Sequence, residues 1–288
     1  MITAEQKAYF RTFGFIHLPK QFSAEEMRAV TREAEKLWEW QRGGGPPSGQ
    51  SQDIQEMVEK GPVMTQMVVD DRLFGTVESL LGPGFIWNGS EGNLHFKDGS
   101  KNTAEERARA EHGWHTDRPN EPHATTYSFH LYLDEVRADT GCLRIIPGSH
   151  ESPLHDSLYP NGQPKAGQNA MADFGISGTE IPGLAIESDP GDVVFFSQKI
   201  YHGVFGKRPG RRYLKLRFVA WPETDKQIAS LMRYGNRGRI YRPDDAFVSS
   251  DNPRIRAMVD PLLELAARTE AEREHFDALG ARDKVAKY

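Results

Sequence analysis

The chain has 288 residues, 38% hydrophobic and 27% charged, an ordinary composition for one globular domain or two small ones. A net charge of −5 gives no basic excess for a nucleic-acid partner, and no apolar run approaches the roughly 20 residues of a membrane helix. The single cysteine, Cys142, excludes an intrachain disulfide; with no secretory apolar region at Met1–Phe10, a cytoplasmic setting is expected.

Two helices are expected to open the chain. Thr3-Ala4-Glu5-Gln6 and Ser23-Ala24-Glu25-Glu26 both have the capping-box pattern, in which the first side chain and the fourth each accept a backbone N–H. Met27, Val30, Ala34 and Leu37 then recur at helical spacing, so one face is apolar. Between the helices GFIHLP (14–19) reads as a short strand. The second helix must stop at GGGPPSG (43–49), where Gly and Pro are too dense for a helix or a central strand. This stretch is either a plain surface loop or a lid over a site.

From residue 84 to 221 short apolar or alternating runs stand between turn signals: FIWNG, NLHFK, TYSFHLYLDEV, CLRIIPGSH, VVFF and RYLKLRFVAW. Strands spaced in this way suggest a sandwich or barrel. DPGD (189–192) is a turn just before VVFF. The long segment 151–182 is rich in Gly, Pro, Ser and Asn and has no clear period; loops of that length are commonly functional. After 222 the pattern returns to helix. Pro253 suits the first turn of one helix and Pro261 the first turn of another. These C-terminal helices are read either as a homodimer contact or as a cover for the barrel. The expected organisation is one domain over 1–288: a mainly helical part to 83, a β core over 84–221 and a helical part from 222.

EHGWHTDRP (111–119) raises the question of a metal. On an extended backbone His115 and Asp117 point to the same face, so an imidazole and a carboxylate converge. Such a pair also arises by chance, and a surface histidine bonded to its neighbour is the plainer reading. A non-haem Fe(II) centre needs two histidines and one carboxylate on one face, with the remaining positions open. His202, just after the buried-looking VVFF, can supply the third ligand. The basic pair Arg211-Arg212 follows, and a guanidinium suits a dicarboxylate co-substrate because it binds carboxylates through two N–H groups.

Four stretches in this order, HTD (115–117), LDEVRADTGCLRIIPGSHE (133–151), DPGDVVFF (189–196) and HG…GRR (202–212), resemble the phytanoyl-CoA dioxygenase-like Fe(II)/2-oxoglutarate oxygenases, which include ectoine hydroxylase. The resemblance runs from GFIHLP to about Trp221. It implies a mainly β protein with flanking helices around a double-stranded β-helix, the cupin-like jelly roll. It implies iron held by His115, Asp117 and His202, with Fe(II), 2-oxoglutarate and O2 as the cofactor set. The family's 2-oxoglutarate arginine falls on Arg211 or Arg212. Alternation separates the two: Arg212, Leu214, Leu216 and Phe218 share one face, and Arg211, Tyr213, Lys215 and Arg217 the other. With the apolar set packed on outer helices, Arg211 points into the barrel and is the favoured anchor. Lys215 and Arg217 then turn inward too. Buried cations need anionic partners, which suggests an acidic group on the substrate. In TYSFHLYLDEV the polar face is Ser128, His130 and Tyr132, and the resemblance places His130 near the co-substrate. It also assigns the alternating Asn93, His95 and Lys97 to the pocket. PGSH (147–150) reads as architecture, and His112, His123 and His155 are not expected ligands. Trp114 is either a pocket wall or ordinary core.

The implied activity is hydroxylation of an unactivated C–H bond, driven by oxidative decarboxylation of 2-oxoglutarate to succinate and CO2. Asp117 favours hydroxylation over halogenation, because related halogenases carry a small residue there to make room for halide. The substrate is expected to be a small polar metabolite, and an anionic one (carboxylate, phosphate or phosphonate) fits the inward cations. The alternatives are a natural-product tailoring oxygenase performing desaturation, epoxidation or ring closure, a cupin-type metal hydrolase or isomerase, and a non-catalytic cupin-type binding protein. A pure binder has no reason to keep all three ligands and the arginine.

Overall fold

The computed structural model describes residues 2–45, 51–95, 112–117, 124–159, 173–234 and 238–282. Among them the strands form two antiparallel sheets. The larger runs in the order β1 (Phe15–Leu18), β8 (Val193–Ser197), β5 (Thr126–Tyr132), β10 (Arg211–Val219), β3 (Ile86–His95) and β2 (Gln52–Gln55). The smaller runs β4 (His112–His115), β9 (His202–Val204), β6 (Leu143–Ile145) and β7 (Leu184–Ile186). From β3 onward the chain crosses repeatedly between the sheets, and only β6 and β7 are consecutive partners. That crossing pattern is a jelly roll.

The two faces of the larger sheet have different chemistry. On β10, Leu214, Leu216 and Phe218 point outward into the main apolar core. Helices α1 (Ala4–Phe13), α2 (Ala24–Gln41), α3 (Pro62–Val68) and α4 (Phe74–Leu81) feed the same core. Both expected capping boxes form, with Thr3 accepting from the Gln6 N–H and Ser23 from the Glu26 N–H. A cap of this kind is worth about 1 kcal/mol. Helix α2 then buries Met27, Val30, Ala34 and Trp38. Each large apolar side chain of this group contributes roughly 1.5–3 kcal/mol. Between the sheets, a second apolar cluster draws Phe15, Val194 and Phe196 from the larger sheet and Leu143, Ile145 and Ile186 from the smaller. Under β10 and β3 the inner face is instead polar and charged.

Two features depart from the expected layout. A polar strand, β2, lies within the N-terminal part and pairs with β3. Only Ile54 of its four residues is buried, so alternation gave no signal for it. At the other end, one helix spans Pro253–Ala271 with Pro261 inside it rather than at a new start. A proline inside a helix costs about 3 kcal/mol. Met258 and Val259 before it, and Leu262 and Leu265 after it, are all buried, so packing across the proline offsets that cost. This helix covers the outer side of the larger sheet, with Ile255, Met258 and Val259 in the main core. Among the described residues no helix is long and apolar enough to cross a membrane.

Candidate metal centre

The register of β4 against β9 sets His115 directly opposite His202. Their rings lie 4.3 Å apart, centroid to centroid. Asp117 follows β4 and brings its carboxylate to both: Oδ1 is 3.7 Å from His115 Nε2, and Oδ2 is 3.9 Å from His202 Nε2. One ligand atom from each of the three residues fits within a 4.8 Å cluster. Thr116, between them, turns the other way and donates its hydroxyl to the Gln198 carbonyl at 2.8 Å. Gln198 in turn donates to Ser128 Oγ at 2.9 Å. The middle residue of HTD thus pins the segment while its neighbours face the site.

Both histidines are oriented for metal binding. His115 Nδ1 lies 2.7 Å from the Gly113 carbonyl, and His202 Nδ1 lies 2.9 Å from the Ile200 carbonyl. With Nδ1 donating, each Nε2 presents a lone pair to the common space. Burial, followed by repulsion from His115, pushes the His202 pKa down to about 3, so that ring is neutral. Burial opposes ionisation of Asp117, but the Lys215 ammonium beside it outweighs that. Its carboxyl is held well below the usual range. Two imidazole nitrogens and one carboxylate on one face are the donor set of a non-haem Fe(II) site.

PGSH supports this arrangement from behind. Ser149 Oγ accepts from the backbone N–H of Tyr201, the residue before His202, at 2.8 Å and donates to the Ile146 carbonyl at 2.6 Å. His155 bonds the Ser149 carbonyl and is not part of the His115, Asp117 and His202 cluster. Trp114 is fully buried and donates to the Gly178 carbonyl, in a cluster with Tyr159, Ile181, Tyr201 and Phe205.

The arginine pair divides. Arg211 is only 6% exposed and points between the sheets. Its guanidinium lies over the rings of Tyr213 (4.6 Å) and Tyr132 (5.1 Å), and its Nη2 donates weakly to the Tyr132 hydroxyl at 3.4 Å. Its Nε has no partner among the described residues. Arg212 lies on the opposite face and grips Asp134 with Nε at 3.0 Å and Nη2 at 2.6 Å, and Glu35 with Nη1 at 3.3 Å. Its guanidinium is already engaged by two protein carboxylates, whereas that of Arg211 meets only tyrosines. His130 is 6% exposed, stands beside Lys215 in register, and has no partner at either ring nitrogen among the described residues. Burial, then Lys215, His202 and Arg211, depress its pKa strongly, so it stays neutral.

Asn93 is on the inner face opposite Tyr213, and its amide reaches Glu91 at 3.3 Å. His95 meets Ser51 at 3.2 Å. Lys97, His123 and residues 46–50 and 160–172 of the two segments expected as loops lie outside the described residues, and of His112 only the backbone is described. The inward cations have protein partners. Lys215 Nζ donates to Asp117 Oδ2 at 3.0 Å, and Arg217 Nη1 donates to Glu91 Oε2 at 3.0 Å. Their charge therefore does not by itself require an acidic substrate. Sequence reasoning placed Tyr213 and Tyr132 on inward faces but missed their packing on Arg211 and the Lys215–Asp117 contact. Period-two counting from Arg211 and His130 reaches both tyrosines, but it does not say which anion Lys215 meets.

The model of one family, described as phytanoyl-CoA dioxygenase (PhyH), matches residues 10–210. The chain belongs to that family. It is accordingly an Fe(II)/2-oxoglutarate-dependent dioxygenase, a class whose cofactor set is Fe(II), 2-oxoglutarate and O2. An ectoine dioxygenase of Sphingopyxis alaskensis is 26% identical over 232 residues, covering 71% of each protein. The apo structure of EctD from S. alaskensis superposes with a TM-score of 0.55 at 25% identity, over 76% of this chain and 77% of that one. HygX from Streptomyces hygroscopicus, solved with nickel and 2-oxoglutarate bound, gives a TM-score of 0.58 at 18% identity, over 77% and 88%. At that identity HygX supports the jelly-roll fold alone.

The dioxygenase's described residues fit the cofactor set of its class. Three convergent donors face one space, and a buried arginine and a buried unpartnered histidine lie on the inner face of the same sheet.

Proposed function

We propose that this PhyH-family dioxygenase hydroxylates an unactivated C–H bond of a small polar metabolite. The observation that carries the proposal is the convergence of His115, Asp117 and His202 opposite an inner face that bears Arg211. In this reading His115 Nε2, His202 Nε2 and one Asp117 oxygen hold Fe(II), which supplies the redox chemistry for reducing O2 at the expense of 2-oxoglutarate. Arg211 binds the far carboxylate of the co-substrate through two N–H groups, held in place by Tyr132 and Tyr213. His130, neutral and unpartnered, offers a hydrogen bond to the near end of the co-substrate. Phe196, packed against both His130 and His202, keeps water from that side. One oxygen atom of O2 goes to succinate and the other to the product alcohol, with CO2 released.

A small polar substrate is supported by the inner face itself, where Glu91, Asn93, Lys215 and Arg217 stand in place of an apolar wall. A tailoring outcome such as desaturation or ring closure uses the same ligands and the same arginine. It differs only in which substrate carbon stands near the metal, so product analysis separates the two. The first test is anaerobic titration with Fe(II) and 2-oxoglutarate. A weak visible charge-transfer band is expected, and its absence at saturating co-substrate counts against the whole reading. Succinate release across a panel of polar metabolites then identifies the substrate.

A further inference from the structure

We propose that Lys215 is a positioning residue for Asp117, holding it as a ligand through one oxygen only. The inference rests on the metal-centre reading above. An octahedral ion with two histidines and a one-oxygen aspartate keeps three positions open, two for a chelating 2-oxo acid and one for O2. A carboxylate binding through both oxygens would close one of them. Something must therefore occupy the second oxygen of Asp117.

Lys215 is placed to do this. It sits mid-strand on the inner face of β10, opposite Glu91 of β3 and His130 of β5. Its Nζ reaches across to Asp117 Oδ2 at 3.0 Å. That leaves Oδ1, 3.7 Å from His115 Nε2, as the oxygen free of the ammonium, with Oδ2 3.9 Å from His202 Nε2. The neighbouring groups do not compete for the ammonium. Glu91 already accepts from Arg217 at 3.0 Å and from Asn93 at 3.3 Å. His130 carries no charge to attract a cation. Asp117 is the one described hydrogen-bond partner of Lys215. The ammonium also withdraws electron density from the carboxylate, which weakens it as a donor and favours the open coordination.

The test uses the full chain in three forms: wild type, Lys215→Met, which keeps the length without the donor, and Lys215→Arg, which keeps a charged donor. Co(II) and Fe(II) affinities are measured anaerobically, together with the 2-oxoglutarate concentration that half-saturates the Fe(II) charge-transfer band. In Lys215→Met metal affinity should rise about tenfold, the lower end of what a supporting contact contributes, because the freed carboxylate is the stronger donor and can bind through both oxygens. The half-saturating 2-oxoglutarate should rise about tenfold or more, because a two-oxygen Asp117 competes for one of its positions. Lys215→Arg should recover both toward wild type. A Met variant that binds metal and 2-oxoglutarate as wild type does overturns the proposal, and so does an Arg variant that needs as much 2-oxoglutarate as the Met variant. A wild-type chain that binds neither Fe(II) nor Co(II) overturns the metal-centre reading itself.

Discussion

Arg211 and Arg212 are adjacent in sequence and point to opposite faces of β10. Arg211 is buried between two tyrosine rings with its Nε unpartnered, whereas Arg212 is clamped by Asp134 and Glu35. Their substitutions should therefore fail differently. Arg211→Ala should raise the KM for 2-oxoglutarate about thirtyfold or more, since losing one partner of a buried charge pair costs roughly 2–5 kcal/mol. Arg212→Ala should leave that KM nearly unchanged and lower stability by about 1.5–3 kcal/mol, the range for hydrogen bonds to charged groups. Steady-state kinetics with urea denaturation of both variants decides it, and the reverse pattern would move the anchor to Arg212.

The proposed metal ligands make a separate claim. His115→Ala, Asp117→Ala and His202→Ala should each abolish conversion of 2-oxoglutarate to succinate, coupled or uncoupled, while circular dichroism stays that of the wild type. His155→Ala, whose ring bonds the Ser149 carbonyl, should keep Fe(II) affinity near the wild-type value. Residual succinate formation in any of the three ligand variants would remove that residue from the ligand set.

Much of this was readable in the sequence, for identifiable reasons. His115 and Asp117 share a face because period two is a local property. The inward turn of Arg211 followed from the apolar run of Leu214, Leu216 and Phe218 on the other face. His202 could be proposed as partner, but its position opposite His115 depends on β4 pairing with β9, a non-local contact that no local pattern encodes. The same holds for the Arg212 clamp, whose acids come from α2 and from the turn after β5. The edge strand β2 escaped notice because it is polar on both faces but for Ile54. Pro261 misled because helix rules weigh the lost N–H and cannot see the apolar packing that continues past it.

Acid should destabilise the chain in a way traceable to His130. Burial first, then Lys215, His202 and Arg211, hold its folded pKa far below the unfolded value of about 6.5. Below pH 6.5 the unfolded chain takes up a proton that the folded chain does not. Stability is therefore complete above pH 6.5 and falls as pH drops toward the folded pKa, by up to about 1.4 kcal/mol per pH unit for this group. Urea unfolding of metal-free protein at pH 7.5, 6 and 5 should show the decline. His130→Gln should reduce its slope by about one proton, and equal slopes would mean that His130 is charged in the folded state.

Gly141 sets the room in which Arg211 lies, and its substitution should damage the co-substrate site while sparing the metal centre. Its φ is +95°, a conformation that side-chain-bearing residues rarely adopt. A Cβ there would stand 3.1 Å from Arg211 Cδ, 3.2 Å from Arg211 Nε and 3.0 Å from the Lys207 Cα. The backbone atom cannot move easily, so the arginine must. Gly141→Ala should cost about 1–3 kcal/mol in stability from backbone strain alone. Displacing the guanidinium by a few tenths of an ångström from its tyrosine rings should raise the KM for 2-oxoglutarate about tenfold. Fe(II) affinity should remain that of the wild type, because the atoms nearest a Cβ at Gly141 belong to Lys207 and Arg211 and not to His115, Asp117 or His202. Calorimetric metal titration beside steady-state kinetics separates the two effects, and a parallel loss of metal affinity would show that the turn supports the whole site rather than Arg211.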